Sequence, residues 1–370
     1  MKHISLILIF SFTILSLFAQ SDKVAVRSAL QNYIDGTSYN QTALIGKAFY
    51  PEANLYLEKK DLPLWTVPSS EYIGWFKNGD QGKFNGRVGN ILSIEYFNSI
   101  AIAKVEILIP SKELRYIDMF LLKKIDNEWK IISKSASSEK SNQSGDRILF
   151  IVSNAHYHGS SSLATGNSFS EIVNAYDTFK KAGYTVDFVS PEGGSVPLAY
   201  INTSDLLHKK YLYDPDFMYA LKETNAPDAI RPENYKAVHY IGGGSAMYGV
   251  PESTAIQKIS MEIYEKHKGI ISSVCHGTAG IVHLKTKDGR YLVEDKIVSG
   301  YPDAYEKEGA EYYEQFPFRI QETILSRGGD FNYSPRNTPH IEVDGRVITG
   351  QNYLSSSLVA QKIIEKLEKR

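Results

Sequence analysis

The sequence predicts an α/β chain: a doubly wound parallel sheet with a nucleophile elbow, preceded by a smaller α+β domain. Three observations carry that prediction. From Arg147 onward, short apolar runs alternate with amphipathic helical stretches, the βαβ order that builds a parallel sheet. Before Ser135 the order is different, helical stretches followed by alternating strands and turn signals, which specifies an antiparallel sheet with helices on one face. Finally Cys275, the only cysteine in 370 residues, stands where the apolar run Ile270-Ile271-Ser272-Ser273-Val274 must turn sharply into a helix.

A chain of 370 residues exceeds one comfortable hydrophobic core, so two domains are expected. The formal net charge of -1, with 42% hydrophobic and 22% charged residues, is an ordinary globular balance. With no basic excess, nucleic acid is not an expected partner. Lys2 and His3 precede an apolar run from Ile4 to Phe18, followed by Ala19 and Gln20. Residues 1–20 therefore read as a secretory signal peptide, cleaved after Ala19 or Gln20, with an uncleaved anchor as the alternative. The mature protein is expected to be periplasmic or secreted, with no membrane partner once the signal is removed. A single cysteine forms no internal disulfide, and a thiol kept in an exported chain is reactive or intermolecular.

The elements follow in order. Val26, Leu30, Tyr33 and Ile34 recur at helical spacing, with Asp22 as a cap and Gly36 as the stop. A second helix over 42–49 runs into Pro51. Strands are expected over 54–58, 101–108, 116–123 and 129–132, the last two joined at Asp126-Asn127. These make a first domain over 21–135. Residues 136–146 are polar and aperiodic and read as a linker. The second domain, 147–370, opens with a strand over 147–153 that is apolar on both faces, as a central parallel strand should be. A helix over 168–181, a strand over 183–190, a strand over 235–241 leading into Gly242-Gly243-Gly244, and a helix over 254–266 complete the approach to Cys275. Ligands of such sheets sit beyond the carboxyl ends of the strands, where Asn154, the three glycines and Cys275 all emerge.

Two resemblances attach to these patterns. Tyr33-Ile34-Asp35-Gly36, Asp118 and Trp129-Lys130-Ile131-Ile132 make residues 22–135 similar to the SnoaL-like and lumazine-binding families of the nuclear-transport-factor-like cone fold. Members use the cone as a ligand pocket, a catalytic chamber or a dimer surface. Asp118, Tyr56, Trp65 and Trp75 are possible lining here, with core packing the competing role for the aromatics. The strand from Ile148, the stretch from Thr165 to Pro191, the turn from Gly242 to Pro251, Val274-Cys275-His276-Gly277, Phe316-Pro317-Phe318 and Val347 to Asn352 carry the second. Together they make the chain from Arg147 onward resemble the ThiJ/PfpI superfamily of class I glutamine-amidotransferase-like, flavodoxin-like folds, nearest its chaperone and glyoxalase III branch.

The second resemblance implies a site. Cys275 maps to the nucleophile, His276 to its neighbour and Glu171 to the acid at the start of the first helix. Residue chemistry agrees: a thiol at an elbow over free helix N–H groups favours the thiolate, and a buried glutamate beside it keeps its proton and can shuttle it. Gly243 and Gly244 match the oxyanion turn, with Gly277 beside the nucleophile. Many relatives of the glyoxalase branch carry a histidine at Gly244 and an aspartate at Gly249, and this chain departs at both. His276 has no carboxylate partner readable from sequence. His156 and His158 form a His-x-His pair that reads as substrate contact ahead of metal binding, since the spacing alone is weak. Asp303, Glu306 and Asn352 fall on loops expected to border the pocket, and His283 reads as packing. No metal and no cofactor are expected.

The function expected from the resemblance is a Cys-dependent, glutathione-independent glyoxalase, a lyase converting methylglyoxal or a related 2-oxoaldehyde to a hydroxy acid. A hydrolase acting on an acyl substrate through Cys275 and His276 is the second reading, and a non-catalytic chaperone or ligand-binding protein the third. The partner is a small carbonyl or acyl molecule, with a homodimer as the family's common assembly.

Overall fold

The structure, a computed structural model, describes residues 22–369. The expected signal peptide over 1–20 lies outside the described residues. Contacts divide the chain into two compact units between Gly145 and Asp146.

The first unit opens with helix α1 (22–38) and α2 (Thr42–Ala48). Val26, Leu30, Tyr33 and Ile34 form the buried face of α1, as their spacing predicts. Asp22 does not simply cap that helix: its carboxylate accepts from Lys124 Nζ at 2.7 Å and Trp129 Nε1 at 3.0 Å, tying the helix start to the sheet. The helix also runs past Gly36, because Ile45 of α2 packs directly against that residue. The sheet follows as β1 (Phe49–Lys59), β2 (Leu62–Pro68), β3 (Val88–Phe97), β4 (Ile100–Ile109), β5 (Leu114–Ile125) and β6 (Glu128–Lys140), with α3 (Ser69–Gly74) between β2 and β3. Strand order is β2-β1-β6-β5-β4-β3, antiparallel except for the parallel β1–β6 pair. Two strands missing from the sequence reading are the edges, β2 bracketed by Pro63 and Pro68 and β3 half-buried along its length. Strand β6 continues to Lys140, into the stretch expected to be linker, because Ser135 to Lys140 pair with Leu114 to Met119.

The second unit contains β7 (Arg147–Ile151), β8 (Asn167–Ser168), α4 (Phe169–Lys181), β9 (Thr185–Val189), β10 (Leu198–Ala199), α5 (Leu206–Leu212) and α6 (Pro215–Lys222). These are followed by β11 (Tyr235–Tyr240), α7 (Thr254–Glu265), β12 (Ile270–Val274), β13 (Ile297–Val298), α8 (Glu311–Glu314), α9 (Ile320–Ser326), β14 (Asp330–Phe331), β15 (Ile341–Asp344), β16 (Val347–Gly350) and α10 (Ser356–Glu368). Its main sheet has the order β15-β16-β12-β11-β7-β9, parallel throughout apart from the edge hairpin β15–β16. Alternate residues of β7 feed opposite cores: Leu149 and Ile151 join the cluster with Val238 and Ile271, while Ile148 and Phe150 join the cluster with Ala237 and Ile270. Both faces are covered, so full burial of a side chain such as Phe150 contributes about 1.5–3 kcal/mol. Ser168 caps α4 by accepting from the backbone N–H of Glu171, which fixes where that helix begins. Among the described residues no helix is long and apolar enough to cross a membrane.

Candidate active site

Cys275 follows β12 at the carboxyl edge of the parallel sheet, with a backbone φ of +56°. A non-glycine residue held in that region is strained, and the strain aims the side chain out of the turn. The chain then coils as a 3-10 segment over Cys275–Ile281, not as the α-helix expected from sequence. Every residue of that segment is buried, and Gly277 and Gly280 press against Tyr240, so the chain is confined to a tight coil. Gly277 thus supports the elbow through backbone packing. The α-helix end expected there is replaced by this coil, while the backbone N–H of His276 still donates to the sulfur and favours the thiolate.

The sulfur shares its pocket with Glu171. That carboxyl lies in the first turn of α4, only 2% exposed, and its Oε2 accepts from the backbone N–H of Gly242 at 2.8 Å. Burial pushes Glu171 up to about 7, opposed by the bonds from Gly242 and Cys275. The Cys275 thiol is pushed up as well, first by burial and then by the negative charge of Glu171. A thiol held ionised at rest, as the sequence suggested, is therefore corrected to a thiol hydrogen-bonded to a carboxyl group that titrates near neutrality. The two groups form one coupled proton-holding pair.

His276 supplies the other side. Its Nδ1 lies 3.5 Å from Cys275 Sγ, and its Nε2 lies 2.7 Å from Glu306 Oε1. Tyr312 donates to the second oxygen of Glu306 at 2.9 Å. The imidazole stacks on Tyr301 at 4.7 Å and meets the edge of Phe316 at 5.5 Å, which fixes its plane. Glu306 is the carboxylate partner that sequence did not identify. Thirty residues separate it from His276, and only the density of tyrosines from Tyr301 to Tyr313 marks the loop as special.

The remaining predicted residues divide. Gly243, at φ +96°, lies so close to Gly166 and Ser168 that a Cβ would meet backbone, and its neighbour Gly242 accepts from Ser168 N–H at 2.9 Å. Gly244 opens the turn Gly244–Met247, which packs on the Cys275 coil. A Cβ on Gly244 would sit 2.5 Å from Cε1 of His158. His158 thus fills the space that a side chain at 244 would take. It is buried among Tyr248, Tyr312 and Phe316, and burial followed by the nearby His276 holds it below the usual histidine range. His156 is exposed and lines a cavity of about 380 Å³ with Tyr157, Gly159 and Tyr248. Among the described residues no group of three or more His, Cys, Asp or Glu side chains could hold a metal ion.

Asn352 does not join the site. Its Nδ2 donates to Thr338 O at 2.8 Å and its Oδ1 accepts from Leu354 N–H at 3.1 Å and Ser355 Oγ at 3.2 Å, so the amide is consumed in shaping the turn before α10. His283 packs on Phe318 and meets Arg327 away from the sulfur. Asp303 accepts from the backbone N–H of Glu322 at 3.3 Å. Tyr200, unremarked in the sequence, has φ +58° and is 67% exposed as a residue, while its hydroxyl end is crowded by protein and faces the charges of Cys275, Glu171 and Glu306, which push the hydroxyl up and place it at the mouth of this pocket.

Residues 162–366 match the DJ-1/PfpI family. The chain belongs to that family. Residues 21–136 match a lumazine-binding family, the relation expected for the first unit. Among curated DJ-1/PfpI relatives, the glutathione-independent glyoxalase hsp3102 of Schizosaccharomyces pombe is 30% identical over 216 residues, spanning 55% of this chain and 89% of the relative. The glutathione-independent glyoxalase HSP31 of Saccharomyces cerevisiae is 28% identical over 252 residues, spanning 60% and 97%. Glyoxalase III of Candida albicans superposes with a TM-score of 0.55 at 21% identity over 60% of this chain and 97% of that one, a likeness of fold. The DJ-1/PfpI fold thus accounts for the parallel sheet and its elbow.

Proposed function

We propose that the protein is a Cys275-dependent, glutathione-independent glyoxalase acting on methylglyoxal or a related 2-oxoaldehyde. The observation that carries the reading is the placement of one buried thiol between a carboxyl group with a pKa of about 7 and an imidazole backed by a carboxylate. The named activity of the hsp3102 and HSP31 relatives supports it.

In this reading the Cys275 sulfur adds to the aldehyde carbon, and its proton passes to the Glu171 carboxylate as the C–S bond forms. His276 donates to the aldehyde oxygen, giving a hemithioacetal. Glu171 releases that proton to solvent and, again a carboxylate, removes the hydrogen on that carbon; it then returns this proton to the neighbouring carbon while the hydroxyl proton of the first carbon moves to the neighbouring oxygen. The product is a thioester of the hydroxy acid. Water, deprotonated by His276 with Glu306 orienting the ring, then cleaves the thioester and returns the thiol. The sum is one oxoaldehyde plus one water giving one hydroxy acid, an internal redox exchange that needs no cofactor. Only the C–H transfer distinguishes this sequence from acyl hydrolysis, and that step needs the near-neutral Glu171.

The test is turnover of methylglyoxal by the purified chain without glutathione, followed as lactate. Cys275→Ala should abolish it. Hydrolysis of p-nitrophenyl acetate with no lactate formed would assign the hydrolase instead, and lactate production surviving Cys275→Ala would overturn both.

A further inference from the structure

Tyr200, Tyr248, Tyr301 and Tyr312 bring hydroxyls to the walls around Cys275 and His158, and all but one are engaged. Tyr312 donates to Glu306 Oε2 at 2.9 Å, Tyr301 donates to Tyr305 O at 3.4 Å, and the Tyr248 hydroxyl lies 3.5 Å from His158 Nδ1. The Tyr200 hydroxyl meets no hydrogen-bond partner among the described residues. It faces Cys275, Glu171 and Glu306 from a residue that is 67% exposed, so a ligand entering the pocket can reach it.

The backbone fixes where that hydroxyl goes. Strand β10 runs parallel to β8, with Leu198 opposite Asn167 and Ala199 opposite Ser168, the residue that caps α4. Asn167 donates to Pro197 O from its backbone N–H and from its side chain, each at 2.9 Å. Gly166 lies so close to Leu198 and Ala199 that a Cβ would meet their backbone. Tyr200 is the next residue after this pairing, so it leaves the same ladder from which Glu171 rises. At φ +58° its backbone is left-handed, a costly conformation for a bulky residue and one that turns the side chain out of the strand direction. An exposed side chain gains little packing from that strain, and the position it secures is the pocket mouth. Crowding by protein, and after it the neighbouring negative charge, keeps the proton on the hydroxyl, so the group serves as a donor.

The proposed reaction has one atom still without a donor. When the Glu171 carboxylate takes the hydrogen from the first carbon, the C–H electron pair forms the new C=C bond. The keto π pair then moves onto the neighbouring oxygen, which becomes negative, while His276 serves the other oxygen. Given the glyoxalase reading of this site, we infer that the Tyr200 hydroxyl donates to that second oxygen and selects 1,2-dicarbonyl substrates over monocarbonyl analogues. Tyr200 keeps its own proton throughout, so the step stays balanced: one C–H bond breaks at the first carbon and one forms at the second. A donor met by charge only as it develops lowers the barrier more than it tightens ground-state binding.

The experiment compares the full chain with its Tyr200→Phe variant, which keeps the ring and loses the hydroxyl. On methylglyoxal, kcat should fall about a hundredfold, as for loss of one oxyanion donor, with KM and Tm nearly unchanged. The variant should also show a clear primary isotope effect with methylglyoxal deuterated at its aldehyde carbon. An unchanged kcat, a loss carried by KM, or a lower kcat with no isotope effect would overturn the assignment of Tyr200. Should the wild-type chain form no lactate, the glyoxalase reading falls by itself and binding decides for Tyr200. Diacetyl, a 1,2-dicarbonyl with no aldehyde hydrogen, and butanone, its one-carbonyl analogue, are then scored by protection of Cys275 from iodoacetamide. Tyr200→Phe should weaken diacetyl about tenfold, as for one hydrogen bond, and leave butanone unchanged. No protection by diacetyl, or a ratio of the two ketones that the variant does not alter, removes Tyr200 from the site's chemistry.

Discussion

Glu171 is where sequence, burial and chemistry meet in one side chain. Its carboxyl is raised from 4.5 to about 7, so the base form exists mainly above neutrality. The proposed reaction uses that form to receive the thiol proton. We expect kcat/KM for methylglyoxal to fall as pH drops through about 7, read from a pH–rate profile. Stability runs the other way. A carboxyl raised on folding binds its proton more tightly in the folded state, so its contribution is complete below 4.5 and is lost as pH rises through 7. Glu171→Gln keeps an acceptor for Gly242 N–H and removes the buried charge. It should melt higher than wild type at pH 8 and form no lactate.

At the scale of elements, the elbow depends on a glycine turn that holds β8 and the start of α4 in place. Gly243→Ala forces a side chain into a left-handed backbone position and onto the backbone of 166–168. The expected cost is about 2–4 kcal/mol, seen as a lowered Tm, with lactate formation falling because Glu171 shifts with its helix. These local features were legible beforehand. Glycine clusters and a cysteine after an apolar run each declare their backbone role over a few positions. The His276–Glu306 contact was not legible, since it closes across a long loop whose path is set by Tyr301 and Phe316 packing on the imidazole and by Tyr312 bonding Glu306. Asn352 misled for the opposite reason: its residue type suits a pocket, but neighbouring backbone groups had already claimed its amide.

Over the whole molecule, the doubly wound unit could be anticipated because strands buried on both faces are apolar without alternation, whereas edge strands β2, β3 and β15 lack that signature. Polar residues break those apolar runs at several points, and one of them is a histidine. His239 on β11 is fully buried, with Nδ1 2.9 Å from Ser272 Oγ, and burial alone presses it down to about 3. It folds neutral and gains a proton near 6.5 on unfolding, so its contribution is complete above 6.5 and is lost as pH falls toward 3, by roughly 1 kcal/mol per pH unit. His239→Leu should shift the acid-unfolding midpoint to lower pH, as monitored by circular dichroism. Export is proposed from the first twenty residues, and N-terminal sequencing of secreted material should begin at Gln20 or Ser21.

The chain holds a single sulfhydryl, and it lies within the pocket. Any alkylating reagent therefore has one possible address on cysteine, and intact-mass spectrometry after iodoacetamide reads the fraction of molecules whose centre is open. Protection of that address by an oxoaldehyde analogue would report occupancy molecule by molecule, with no need to engineer away competing thiols.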